Sequence, residues 1–307
     1  MLNIEDIKRF HRDFPEPMEI RLMRENLVKS FGGLRFDPEP HKYFVDEDGG
    51  SVELPSVSKV IKDFENKKDW DGIASRYARK NGMTVDQVKR MWKENNIRST
   101  NNGTSVHLFL ESYMHFFLGH PEKIDPVILP QYEDGFLIPL NQKQEAGMKY
   151  YESLYNSFYD DSVKIKVYPV MPELQMYIFK DNKFGIQRRY AGTMDILLSY
   201  QDPTDGKYKL ICDDWKTNAS LYNDYARNMG EFMLPPFESY IDESFSHYTA
   251  QLSSYTITLR QLGYQVPARN IVWLKDDATF ERIPVNDLSN SLITTFGGNP
   301  NAKTNSF

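Results

Sequence analysis

The chain has 307 residues, enough for one large core or two smaller ones. Aromatic residues at 14% and charged residues at 26% are globular composition and exclude wholesale disorder. The single cysteine, Cys212, excludes a disulfide framework or thiolate zinc cluster within the chain, and no uncharged apolar run approaches the roughly 18 residues of a membrane-spanning helix.

The acidic opening Met1–Asp6 lacks the apolar region of a secretory signal, so a soluble cytoplasmic protein with no membrane partner is expected. The formal net charge is -6, which is not the overall signature of a nucleic-acid binder. Residues 59–98 nevertheless hold eleven Lys/Arg against six Asp/Glu. Such asymmetry allows a local anion-binding surface, and a solvated helix pair explains it equally well.

Residues 4–30 read as helix interrupted at Pro15 and Pro17. Short strands are expected at 34–36, 43–45 and 52–54, and Ser56 is placed to cap a helix running toward Phe64. Trp70, Ile73, Ala74, Tyr77 and Ala78 recur at helical spacing, which predicts an amphipathic helix over 69–80. Thr84–Gln87 is a capping-box pattern opening a helix to about Asn95. A separate helix is expected from Gly103 to about Leu118, then a Pro- and Gly-rich loop over 119–140 and a helix at 142–159. The pattern then shifts to strands at 163–170, 174–179, 188–199, 208–213 and 270–275, with one helix at 243–262 before the last. The fold class is α/β with a helical amino-terminal half. Three regions are expected: 1–100, a hairpin and helical region; 101–296, the core; and 297–307, a disordered polar tail.

Asp195 lies in a strand between small residues and an apolar run. Asp214 and Lys216 are two apart on the next strand, so their side chains share a face. Asp213 is the register rival, and period two sends it to the opposite side. If the two strands pair through the turn at 202–206, Asp195 sits beside Asp214. Converging carboxylates suit Mg²⁺ or Mn²⁺, and a neighbouring lysine can hold water or stabilise charge on a phosphate. Carboxylates set in apolar runs are costly unless paired, which weakens the alternative of an exposed hairpin. His107 and Glu111, and likewise Gln251 and Tyr255, are four apart on helical segments and share a face; alone, each pair is a weak signal. His115 and His120 have no such context.

Gly103-Thr104-x-x-His107, Ala191-Gly192-x-x-Asp195, Asp214-x-Lys216-Thr217 and Gln251-x-x-x-Tyr255, in this order, resemble the PD-(D/E)xK nuclease superfamily, and within it the RecB-type exonuclease branch. The resemblance spans about residues 100–275. The segments from His41 to Phe44 and from Leu54 to Val60 are similar to the amino-terminal part of mitochondrial genome maintenance exonuclease and its phage relatives. The family's Pro-Asp is replaced here by Met194-Asp195, as is common in that branch. The resemblance implies a restriction-endonuclease-like mixed sheet flanked by helices, and a Mg²⁺- or Mn²⁺-dependent DNA exonuclease acting on single-stranded or free-ended DNA in phage-type replication, recombination or repair. It further implies that His107, Asp195 and Asp214 ligate the metal, with the Trp215 carbonyl as a further ligand. Lys216 positions the attacking water and stabilises charge, while Gln251 and Tyr255 orient substrate and lysine. Glu173 stands where the family often has an acid on the first core strand. Cys212 reads as a core residue, since one cysteine cannot build the four-cysteine iron–sulfur cluster of some relatives.

Lys67, Lys68, Arg76, Arg79 and Lys80 are the candidate DNA-binding cations, and with Trp70, Tyr77 and Trp92 they form a candidate wall for a single strand. The competing reading, which helical spacing slightly favours, places Trp70 and Tyr77 in the core. Helical mass across the mouth of the site predicts dependence on a free DNA end; the alternative is that these helices bind a replication or recombination protein partner and leave the site uncovered. The alternatives are a non-catalytic DNA-binding or replisome protein that keeps the fold, and an endonuclease of the same superfamily.

Overall fold

The computed structural model describes residues 4–47, 49–119, 132–133, 136–137 and 141–302. Proline lacks the N–H that continues a helix, and Pro15 and Pro17 part α1 (Ile4–Asp13) from α2 (Met18–Phe31). An antiparallel sheet follows, built from β1 (Leu34–Asp37), β2 (Lys42–Glu47) and β3 (Gly50–Leu54). Ser56 caps α3 (Val57–Ile61), its hydroxyl accepting from the Lys59 N–H at 3.1 Å. Asp69 caps α4 (Trp70–Asn81) in the same way. The Thr84–Gln87 capping box opens α5 (Val85–Phe117) with both reciprocal bonds in place.

Helix α5 is one element of 33 residues where two were expected. Gly103 does not start a helix; it sits within one. A Cβ there would stand 3.1 Å from the Thr217 hydroxyl, so the glycine lets the helix approach the end of a core strand. The expected 100/101 division therefore falls inside α5. Most of the expected 119–140 loop and His120 lie outside the described residues, although β4 (Tyr132–Glu133) pairs with β5 (Phe136–Leu137). An Asn141–Gln144 capping box opens α6 (Gln142–Tyr159).

The central sheet contains β6 (Val167–Tyr177), β7 (Ala191–Gln201) and β8 (Tyr208–Lys216). After α7 (Asp224–Met229) and α8 (Ser244–Arg260) come β9 (Ala268–Leu274), β10 (Phe280–Pro284) and α9 (Ser289–Thr295). The order is β10-β9-β8-β7-β6, antiparallel except for the parallel pair β8–β9, which α8 connects. Strand β6 merges two expected strands. It tolerates Pro169 and Pro172 because it is the edge strand, with a bulge between Pro169 and Met171. The elements α7, β10 and α9 are not among those expected, although all three fall within the expected 101–296 core. Residues 297–302 are pinned rather than loose, with Asn299 N–H donating to Phe184 O at 2.8 Å; 303–307 lie outside the described residues.

Helices cover both faces of the sheet, giving a mixed α/β protein in three layers. Ile20, Val60, Leu252 and Leu292 belong to the core on one face; Phe10, Leu110, Tyr151 and Phe158 belong to the core on the other. The small sheet joins the end of β7, where the Ala191 N–H donates to Pro55 O at 3.0 Å. The front elements thus share the central cores. No helix among the described residues is long and apolar enough to cross a membrane.

Asp213 shows how β8 is held in register. It is fully buried and accepts from Tyr150 Oη at 2.8 Å, Asn270 Nδ2 at 2.7 Å and Arg282 Nε at 2.7 Å. These bonds tie α6, β9 and β10 to one carboxylate. Removing one partner of such a pair leaves buried charge uncompensated. Asp213→Asn is expected to lower unfolding stability by about 3 kcal/mol in urea titrations, and a shift within about 0.5 kcal/mol would refute this role.

Candidate metal centre

The β7–β8 ladder runs from Gln201–Tyr208 to Ile196–Asp213 and ends there. Beyond it, β7 continues beside β6 to Ala191, and β8 continues beside β9 to Lys216. The strands therefore part and leave a fork. Asp195 and Asp214 stand one register step past the last ladder pair, across this opening. Backbone groups freed from the ladder need partners. The Trp215 N–H finds one in Asp195 Oδ2 at 2.6 Å.

Three other elements deliver side chains to the fork. Helix α5 brings His107, whose Nδ1 lies 3.3 Å from Asp195 Oδ1 and whose ring stands edge-on to Trp215. Strand β6 brings Glu173, which follows Pro172 and has φ 46°, a left-handed conformation that costs a non-glycine residue roughly 1–3 kcal/mol. Ligand atoms of His107, Glu173 and Asp195 lie within 4.8 Å of one another. Helix α8 brings Gln251, whose Nε2 donates to Tyr255 Oη at 2.8 Å. Tyr255 packs on Gly192, where a Cβ would come within 2.8 Å of its ring. The small residue ahead of Asp195 is thus a packing requirement.

Asp214 is 1% exposed and ion-paired with Lys216. Its Oδ1 is buried without a hydrogen-bond partner among the described residues. The trio holds two expected site residues, His107 and Asp195, together with Glu173, while the Asp214 carboxylate is ion-paired with Lys216. Asp213 faces the opposite side of the sheet, as period two requires.

The titration shifts record crowded negative charge. Burial, then repulsion from Asp195, pushes Asp214 up to about 7. Glu173 is raised well above the carboxylate range by desolvation and then by Asp195. Glu111, one turn beyond His107, is raised by the same two causes. Burial opposes charge on Asp195, yet His107 holds its pKa low. Burial likewise opposes charge on His107 and Lys216, but Asp195 raises the former and Asp214 the latter. Carboxylates thus outnumber cations here, and a buried oxygen of Asp214 has no hydrogen-bond partner among the described residues. These features fit a divalent cation, and oxygen donors with one imidazole suit Mg²⁺ or Mn²⁺.

The sequence reading missed two tyrosines. Tyr43 Oη lies 3.0 Å from Thr193 Oγ1, brought by the hairpin from 150 positions away; the resemblance of the His41–Phe44 segment was the available signal. The Tyr248 ring lies 4.5 Å from Lys216 Nζ; its position three before Gln251 was the available signal. Of the candidate DNA-binding cations, Lys67, Lys68, Arg76 and Lys80 line one concavity, and Arg79 is not part of its lining. Trp70 and Tyr77 are not core residues: they are 61% and 40% exposed, because α4 packs on α5 through Ala74 and Ala78. Cys212 is buried in the core.

No family model matches the chain, and no curated protein matches it.

The crowding has a measurable sign. Carboxyls with raised folded pKa hold protons that the unfolded chain has released above about pH 4, so stability falls as pH rises toward 7. His107 acts in the same direction, since its raised pKa gives stability below about pH 6.5 that is lost as pH climbs through the folded value. In EDTA, stability is expected to drop from pH 5 to pH 8 by on the order of 2 kcal/mol, and Asp214→Asn should flatten the slope. A slope unchanged by Asp214→Asn in urea titrations contradicts the shift.

Proposed function

We propose that the protein is a divalent-metal-dependent deoxyribonuclease that degrades DNA from a free end. The observation carrying this reading is the fork itself, where Asp195, Glu173 and His107 converge beside the Asp214–Lys216 pair. Such a constellation is suited to phosphodiester hydrolysis. In this role His107, Glu173 and Asp195 would hold the ion, with the unpartnered Oδ1 of Asp214 in reserve as a further donor. The ion supplies positive charge against the phosphate and the departing oxygen. Lys216 supplies a second, fixed positive charge for the transition state, held in place by Asp214 and by the Tyr248 ring. The Gln251–Tyr255 pair orders the α8 side of the site.

The mixed sheet with one parallel pair, its acids at the strand fork, supports a restriction-endonuclease-like core of the PD-(D/E)xK, RecB-type exonuclease kind. Intact acids and lysine weigh against a non-catalytic replisome protein. Dependence on an end, rather than endonuclease action, follows from the flanks of the site. Helix α5 delivers His107 from one element and β2 delivers Tyr43 from another, so front-half structure borders the fork from two directions. A threaded single strand fits such a bordered site more readily than a duplex. DNA replication or recombination is the proposed setting.

The test is incubation with end-labelled linear and closed circular single-stranded DNA in Mg²⁺, Mn²⁺ or EDTA. Linear DNA should be degraded with either ion and survive in EDTA, while circles persist. Circles cut as fast as linear strands would transfer the site to an endonuclease, and full cleavage in excess EDTA would remove the metal. Lys216→Ala should lower turnover at least ~100-fold while DNA affinity in Ca²⁺ changes little. Lost binding with a normal rate per bound complex would contradict that role.

A further inference from the structure

Helix α4 carries a stripe that the catalytic reading does not use. Trp70, Ile73, Arg76, Tyr77 and Lys80 recur every three or four residues and so line one side of a concavity of about 790 Å³. Lys67 and Lys68 also line it. The opposite bank comes from the segment around α7, with Asn223, Tyr225 and Phe232. Rings stand open on both banks: Trp70 is 61% exposed, Tyr225 62% and Phe232 47%. Trp92 buttresses Trp70 and Tyr77 edge-on from α5, with centroids 6.2 and 5.9 Å away.

The two banks are bonded to each other, so the groove is preformed. Leu234 N–H donates to Phe64 O at 2.7 Å, and Asn66 donates to Phe232 O and to Asp242. Asp242 also accepts from His247 on α8, one turn before Gln251. The groove and the catalytic side of α8 are therefore parts of one bonded frame.

We propose that this groove binds single-stranded nucleic acid, bases against Trp70, Tyr225 and Phe232, phosphates on Lys67, Lys68, Arg76 and Lys80. The inference extends the nuclease reading by giving the strand a holding site separate from the carboxylates. Its chemistry selects this occupant. Among the described residues none of those four cations is engaged in an ion pair or side-chain hydrogen bond. The lining acids are two, Asp69 and Glu231, and Asp69 is already occupied in capping α4. Unpaired positive charge beside open aromatic faces complements a phosphate backbone with unstacked bases. A duplex hides those base faces, so its affinity gains nothing from the rings.

Binding of fluorescein-labelled oligo(dT) and oligo(rU) of 1 to 12 nucleotides is measured by anisotropy in EDTA, where no cleavage occurs, alongside tryptophan quenching. Affinity should rise with length, and quenching should accompany binding. Trp70→Ala and Tyr225→Ala should each weaken 12-mer binding roughly 10-fold, and Trp70→Phe should restore most of it. Replacing Lys67, Lys68, Arg76 and Lys80 by Ala together should flatten the salt dependence, since fewer counterions are released. Unchanged 12-mer affinity in the ring variants overturns the proposal. So does a mononucleotide binding as tightly as the 12-mer, which would make the groove a nucleotide pocket, or a blunt duplex whose affinity falls equally with Trp70→Ala. Strand binding through the groove without any cleavage in Mg²⁺ would sink the nuclease reading alone; cleavage with ring-independent binding would sink the groove alone.

Discussion

Mutual repulsion among Asp195, Asp214 and Glu173 is the constraint to which the rest of the molecule answers. Two of these carboxylates are buried and the third, Glu173, is half-buried, with one lysine and one imidazole as counter-charge. Burying like charges is unfavourable unless a proton or a cation enters. A sheet that closed fully would leave such a group no room. The early end of the β7–β8 ladder provides it, and the Trp215 N–H freed there satisfies Asp195.

The surrounding structure holds that arrangement in place. On the far side of β8, Asp213 is fixed by Tyr150, Asn270 and Arg282, so the residue pointing the other way, Asp214, has one register. Gly103 lets α5 close on the end of β8 and so brings His107 within reach of Asp195; Gly192 lets Tyr255 lie flat against β7. Neighbouring residues on one strand thus do different work. Asp213 holds the sheet and Asp214 faces the site.

Much of this was legible in the sequence where local rules govern. Caps at Ser56 and Thr84 announce helix starts because side-chain-to-backbone bonds depend only on neighbours. The two-residue period separated Asp214 from Asp213 for the same reason. Tertiary packing hid the rest. Gly103 looked like a helix start and is a site of close approach within one. The two strands expected at 163–170 and 174–179 are one continuous edge strand, and the strained Glu173 lies at their junction. Trp70 and Tyr77 read as core from their spacing, but two alanines make the helix contact and leave the rings outside. Tyr43 and the α7 bank reach their places through long-range topology, which no window of sequence contains.

The most direct measurement is Mn²⁺ binding at pH 7.5, followed by electron paramagnetic resonance and calorimetry on the wild type and on Asp195→Asn and Glu173→Gln, each checked for folding. A site in the wild type that takes up Mn²⁺, releases protons as it does so, and is lost in both variants is the expected result. Absence of binding in the wild type, or binding undiminished by Asp195→Asn, contradicts a metal centre in the fork.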